Sequence, residues 1–98
     1  MNVTPQLFCK WLDEADDVEL CLDDYYYKIR YHSAGAEGFS AEFECEEDHV
    51  DDLLLGGSWE EFSFRIRGDV LLLGYQGELM EIRMSVRNYF NFEEMMHA

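Results

Sequence analysis

A chain of 98 residues is one domain on length alone, and with 48% apolar and 15% aromatic residues it is no disordered acidic tail. Twenty-two Asp and Glu against seven Lys and Arg give a net charge of −15, which argues against direct binding to nucleic acid or anionic membrane because both need cationic surface. Three cysteines, an odd number, with no run near 18 apolar residues and no secretory leader read at the N-terminus, predict free thiols in a reducing cytoplasm and no membrane span.

Thr4-Pro5 opens a helix, a capping hydroxyl followed by proline at the first helical position. Leu7, Phe8, Trp11, Leu12 and Ala15 recur on one helical face, and the helix is expected to end near Asp16-Asp17. The period then becomes two. Val18, Leu20 and Leu22 alternate with Glu19 and Cys21; Tyr25, Tyr27, Ile29 and Tyr31 alternate with Tyr26, Lys28, Arg30 and His32. After a loop from Ser33 to Gly38 come Phe39, Ala41, Phe43 and Cys45, alternating with Ser40, Glu42, Glu44 and Glu46. These are three antiparallel strands with one wet face.

Register follows from parity. A two-residue turn at Asp23-Asp24 sets Leu22 against Tyr25, Leu20 against Tyr27, Val18 against Ile29 and Glu19 against Lys28. Asp-Asp lacks the glycine that such a turn prefers. Pairing Tyr31 with Phe39 gives Ile29–Ala41, Tyr27–Phe43 and Lys28–Glu42. Glu46, Glu47 and Asp48 suit the first turn of a second helix, with Val50, Leu53 and Leu54 as its stripe and Gly56-Gly57 as its stop.

A second meander follows. Gly68-Asp69 and Gln76-Gly77 are two-residue turns that place Ile66 against Leu71, Phe64 against Leu73, Phe62 against Tyr75, Leu73 against Met80 and Leu71 against Ile82. Val70 then falls between Arg67 and Arg83, and Leu72 between Arg65 and Glu81. The aromatic tail from Asn88 predicts a short helix lying on the sheet. The expected fold is a single α+β domain over residues 1–98, ordered α-β-β-β-α-β-β-β-α, with two three-stranded meanders and two or three helices.

Two base-free acidic clusters carry the functional expectation. One holds Asp13, Glu14, Asp16, Asp17, Glu19, Asp23 and Asp24; the other holds Glu42, Glu44, Glu46, Glu47, Asp48, Asp51 and Asp52. Residues 1–52 contain fifteen acids and three bases, residues 53–98 seven and four, so the charge is polarised along the chain. Carboxylates two apart on a strand face lie about 6–7 Å from each other. Such rows imitate the dense charge of a nucleic-acid backbone, whereas solubility alone needs a net charge of only about 2–8. Glu19 and Glu42 are assigned to pairing with Lys28. The partner-binding set is therefore Asp13, Glu14, Asp16, Asp17, Asp23, Asp24, Glu44, Glu46, Glu47, Asp48, Asp51 and Asp52. Tyr26 and Trp59 join it as exposed aromatic anchors.

Other chemistries find little in the residues. Cys45 to Asp52 holds Cys, His and carboxylates but neither the ligand alternation of an EF-hand nor a zinc spacing, so no metal or cofactor is expected. No nucleophile elbow, phosphate-binding glycine loop or H-E-x-x-H occurs, and His32, His49 and His97 are scattered, so no catalytic residues are assigned. Tyr25, Tyr27 and Tyr31 are read as core. Arg65, Arg67, Arg83 and Arg87 are read as lining one outer sheet face and pairing with Glu61 and Glu81. The Arg67-Gly68-Asp69 triplet is a hairpin turn.

In size, acidity and lack of catalytic residues the chain resembles phage-encoded anti-CRISPR and anti-restriction proteins that imitate DNA. That resemblance implies a non-catalytic inhibitor, monomer or homodimer, in the cytoplasm of a bacterial host, bound to the basic nucleic-acid-binding surface of a defence nuclease complex. The same physics suits an immunity protein that neutralises a basic nuclease toxin. The order of elements and the acidic pI also look like a type III secretion chaperone, although the chain is short for one.

Overall fold

The computed structural model describes residues 3–15 and 17–97. Helix α1 spans Pro5–Glu14, with the Thr4 hydroxyl accepting from the Leu7 N–H at 3.2 Å. Phe8, Trp11 and Leu12 are its buried face, as the spacing predicts. Seven strands follow: β1 Glu19–Leu22, β2 Tyr25–Ala34, β3 Gly38–Cys45, β4 Leu53–Ser58, β5 Phe62–Arg67, β6 Val70–Tyr75 and β7 Glu78–Arg83. Helix α2, Val86–Met96, begins where the Ser85 hydroxyl accepts from Asn88 N–H at 3.2 Å. It packs on α1 through Phe92, edge-on to Trp11, and through the Asn88 carbonyl, which accepts from the buried Trp11 indole N–H at 3.0 Å.

All seven strands form one antiparallel sheet in the order β4-β3-β2-β1-β7-β6-β5. The order requires the sheet to curl. Its two edge strands, β4 and β5, are joined by a single 3-10 turn, Trp59–Glu61. That link reaches at most about 15 Å, whereas a flat seven-stranded sheet would hold its edges about 29 Å apart. The closure is visible in the side chains. The Tyr75 hydroxyl of β6 donates to the Gly56 carbonyl of β4 at 2.5 Å and accepts from its N–H at 3.4 Å. Phe39 of β3 meets Phe62 of β5 edge-on at 5.5 Å. Glu61 turns back to accept from the Ser58 N–H at 2.9 Å, its carboxylate lying where a Cβ on Gly57 would stand. Both helices fill the concave side, and one core cluster runs through the molecule.

Three of the expected registers are observed residue for residue. β1–β2 pairs Leu22 with Tyr25 and Glu19 with Lys28, and β5–β6 and β6–β7 follow the parity of their two-residue turns. Asp23 and Asp24 occupy the left-handed region at φ 50° and 67°, the backbone of a type I′ turn built without glycine.

Two expectations are corrected. The helix over 46–55 does not form: residues 46–52 are a loop, and Leu53–Ser58 is β4, which pairs with β3 from Phe43–Leu53 to Gly38–Ser58. Three leucines before two glycines fit either period, and the unpaired edge of β3 decides for the strand. The described residues thus form seven strands and two α-helices, against about six strands and two or three helices expected. In β2–β3 the register is Tyr27–Cys45, Lys28–Glu44 and Ile29–Phe43, and an irregularity at Arg30 then shifts it to Tyr31–Glu42 and His32–Ala41. The extra residue reverses facing beyond it. Tyr31, expected in the core, is 56% exposed, and His32 turns inward to Asp13.

Candidate acidic interface

The strand order divides the acidic residues in a way the chain order hides. β1 and β2 meet at the Asp23-Asp24 turn, and the Glu46–Asp52 loop joins β3 to β4 at that same end of the sheet. The Glu46 N–H donates to the Tyr26 carbonyl at 3.1 Å, and the His49 ring stands edge-on to Tyr25 at 6.3 Å. The fold therefore brings Asp23, Asp24, Glu46, Glu47, Asp48 and Asp51 to one end of β1–β2–β3. All six are exposed, and among the described residues none of them forms an ion pair.

Asp52 and Glu44 border this group but are partly neutralised. Arg30, at the irregularity in β2, donates to Asp52 at 2.6 Å and approaches Glu44 at 3.7 Å and Glu42 at 3.8 Å. The bond to Asp52, then the charges of Asp52, Glu44 and Glu42, raises the Arg30 guanidinium above its ordinary range. This arginine ties the end of the β3–β4 loop to the sheet. Glu42 was expected to pair with Lys28; the shifted register gives it to Arg30 and sets Lys28 opposite Glu44.

The rest of the first cluster lies elsewhere. Asp13 and Glu14 close α1, and Asp17 precedes β1, all beyond the opposite end of β1 from Asp23-Asp24. The Asp13 carboxylate accepts from His32 Nε2 at 3.0 Å near the far end of β2. Asp17 is exposed with φ 51°. Asp16 lies outside the described residues.

The two aromatic anchors separate. Tyr26 is exposed on the outer face, opposite Cys21, with Glu46 and not Glu44 beside it. Trp59 is half-buried: its ring stacks on Phe39 at 5.6 Å and its indole N–H donates to the Gly35 carbonyl at 2.9 Å. It closes the curled sheet and is no free anchor. Exposed apolar side chains missed in the sequence are Tyr31 and Leu54, which flank Glu42 on the outer face, and also Leu79, Val86 and Phe90. Leu54 faces outward once the edge of β3 makes this segment a strand, which three successive leucines do not announce, and nothing in the residues marks the irregularity that exposes Tyr31.

Of the arginines, Arg65, Arg67 and Arg83 do lie on the outer sheet face, and Arg67 reaches Glu81 at 3.7 Å. Arg87 belongs to α2, a correction, and Glu61 is occupied as a cap. Cys45 is buried and Cys9 and Cys21 half-buried, all as free thiols. Burial, then the charge of Asp13, pushes the Cys9 thiol up. Among the described residues no three His, Cys, Asp or Glu side chains converge as metal ligands, and no buried side-chain polar atom lacks a partner. Among the described residues no helix is long and apolar enough to cross a membrane.

No protein-family model matches the sequence, and neither a curated protein nor a solved structure matches it significantly.

Proposed function

We propose that this protein is a non-catalytic inhibitor that presents the acidic end of its sheet to the basic, nucleic-acid-binding surface of a defence nuclease complex. The observation that carries the proposal is the convergence of the Asp23-Asp24 turn and the Glu46–Asp52 loop. Six exposed carboxylates there form no ion pair among the described residues. Carboxylates crowded in this way repel one another, and a partner's Lys and Arg relieve that repulsion on binding. The field steers encounter with a cationic groove, and exposed apolar side chains such as Tyr26 prolong residence. Asp13, Glu14 and Asp17 stand at the other end and serve solubility or a second contact.

Capture from a bacterial lysate with the protein immobilised at low salt should retain a nucleic-acid-binding protein, and duplex DNA should compete for it. The affinity should fall about tenfold or more between 50 and 300 mM salt, as the screening length shortens from about 14 to 6 Å. A captured partner that binds with no salt dependence and alongside its nucleic acid would rule the proposal out.

A further inference from the structure

β4 is one edge of the sheet, and its backbone decides which of its groups stay open. The Trp59 N–H donates to the Glu37 carbonyl in the β2–β3 connection, which continues the β3–β4 ladder beyond Phe39–Gly57. In an antiparallel pair such hydrogen-bonded positions alternate with open ones. Leu53, Leu55 and Gly57 therefore turn their N–H and C=O groups toward β3, and Leu54, Gly56 and Ser58 turn theirs to the open edge. Two of these three are capped from within the molecule. Glu61 accepts from the Ser58 N–H, and the Tyr75 hydroxyl accepts from the Gly56 N–H and donates to its carbonyl. Among the described residues nothing caps Leu54. The side chains leave the same place open. Edge strands are commonly blunted by charge, proline or a bulge, yet Leu53–Ser58 holds neither a charge nor a proline in a chain with 30% charged residues. Leu54 is 65% exposed, with the exposed Tyr31 across Glu42 from it. Asp51 and Asp52, both exposed, lead directly into this strand.

We infer that the open edge at Leu54 receives an extended segment of the protein's partner as an added strand, with an apolar residue beside Leu54 and a lysine or arginine toward Asp51 and Asp52. Leu54 offers one N–H and one C=O to a facing residue, so backbone pairing sets the register. Alternate side chains of the added strand then share the outer face with Leu54. Charge selects the occupant. The strand starts from the acidic loop, which favours a cationic segment, whereas a second copy of the chain, itself at −15, is repelled. The inference rests on the proposed function for the partner's positive charge, and adds the backbone contact that holds the partner after encounter.

The test uses the full chain and two probes, the peptide Lys-Thr-Val-Thr-Lys and the same peptide with its valine N-methylated, titrated by amide NMR. The first should shift the Leu54 amide most and slow its hydrogen exchange. N-methylation leaves charge and composition intact but deletes one backbone donor, and should weaken binding about fivefold or more, the effect of one hydrogen bond. Leu54→Pro removes the outward N–H without touching the β3 ladder, and Leu54→Lys keeps the backbone while placing a cation at the edge; both should weaken the peptide by a similar factor. Tyr75→Phe, which uncaps Gly56, should tighten it. Equal affinity for the two peptides, or unchanged affinity in both Leu54 variants, overturns the inference, as does self-association of the chain through the Leu54 amide in place of peptide binding. Those results leave charge mimicry standing. Conversely, peptide pairing at Leu54 beside a captured partner whose affinity ignores salt sinks mimicry and leaves the edge site intact.

Discussion

The Asp23-Asp24 turn offers a perturbation in which stability and binding should move in opposite directions. Both residues sit in the left-handed region, at φ 50° and 67°. There an ordinary side chain costs about 1–2 kcal/mol relative to glycine, and Asn and Asp somewhat less. Asn-Gly is the sequence this turn prefers. Replacing Asp24 by glycine relieves the backbone but adds about 0.4–1 kcal/mol of unfolded-state entropy. Replacing Asp23 by asparagine as well removes two negative charges from a chain at −15. Together the changes should stabilise by about 1 kcal/mol, a rise in Tm of roughly 4–8 °C for a domain of this size. Thermal melts by circular dichroism at low salt and at ~1 M salt separate the causes, because at ~1 M the screening length is about 3 Å and only the backbone part persists. The same double variant should bind the cationic partner more weakly. A Tm that falls at both salt concentrations would refute the turn geometry. A Tm that rises with binding unchanged would show that the two carboxylates are not held at this strained position for a partner.

Other consequences follow from the closure and the core. Tyr75→Phe removes the hydroxyl that joins β6 to Gly56 of β4; about 1 kcal/mol of stability should be lost, with faster hydrogen exchange along β4, and unchanged exchange would mean the edges close without it. Trp11→Phe deletes the indole N–H bond to the Asn88 carbonyl in a fully buried site; a loss of about 2–3 kcal/mol is expected in urea unfolding, and a neutral result would place the α1–α2 contact outside the core. Burial, then nearby Cys45 and Asp23, raises the Tyr27 hydroxyl, and the Tyr89 hydroxyl is raised by donating to Glu93 at 2.8 Å. Because the folded pKa values lie above the unfolded ones, both contributions are complete below about pH 10 and are lost as pH rises through the folded values. Stability should therefore fall on the alkaline side, and in Tyr27→Phe less steeply; an identical alkaline profile would contradict that origin.

Much of the sheet was legible because two-residue turns lock parity. Gly68-Asp69, Gln76-Gly77 and even Asp23-Asp24 leave one register each in which apolar faces coincide, and the structure has those three. The β2–β3 connection gave no such lock. Its loop length is free, and the irregularity at Arg30 changes facing partway along the strand without a glycine to announce it. β4 escaped because Leu53-Leu54-Leu55 carries no period, so only its neighbour β3 decides its form. The meeting of β1 with β7, and hence the curl, depends on contacts between distant segments. The acidic site was legible in composition but not in space. Two clusters contiguous in the chain are redistributed, so that Asp23-Asp24 joins the Glu46–Asp52 loop while Asp13 and Asp17 are carried to the other end.

The most direct measurement compares two triple reversals to lysine that each take the net charge from −15 to −9. One changes Glu46, Glu47 and Asp51 at the acidic end; the other changes Glu37, Glu60 and Glu94, which are equally exposed but lie away from it. Against a partner captured from a bacterial lysate, the first should lose at least about tenfold in affinity and the second less than about threefold. Equal losses would mean that net charge alone is read, and no loss in the first would contradict the acidic end as the binding surface.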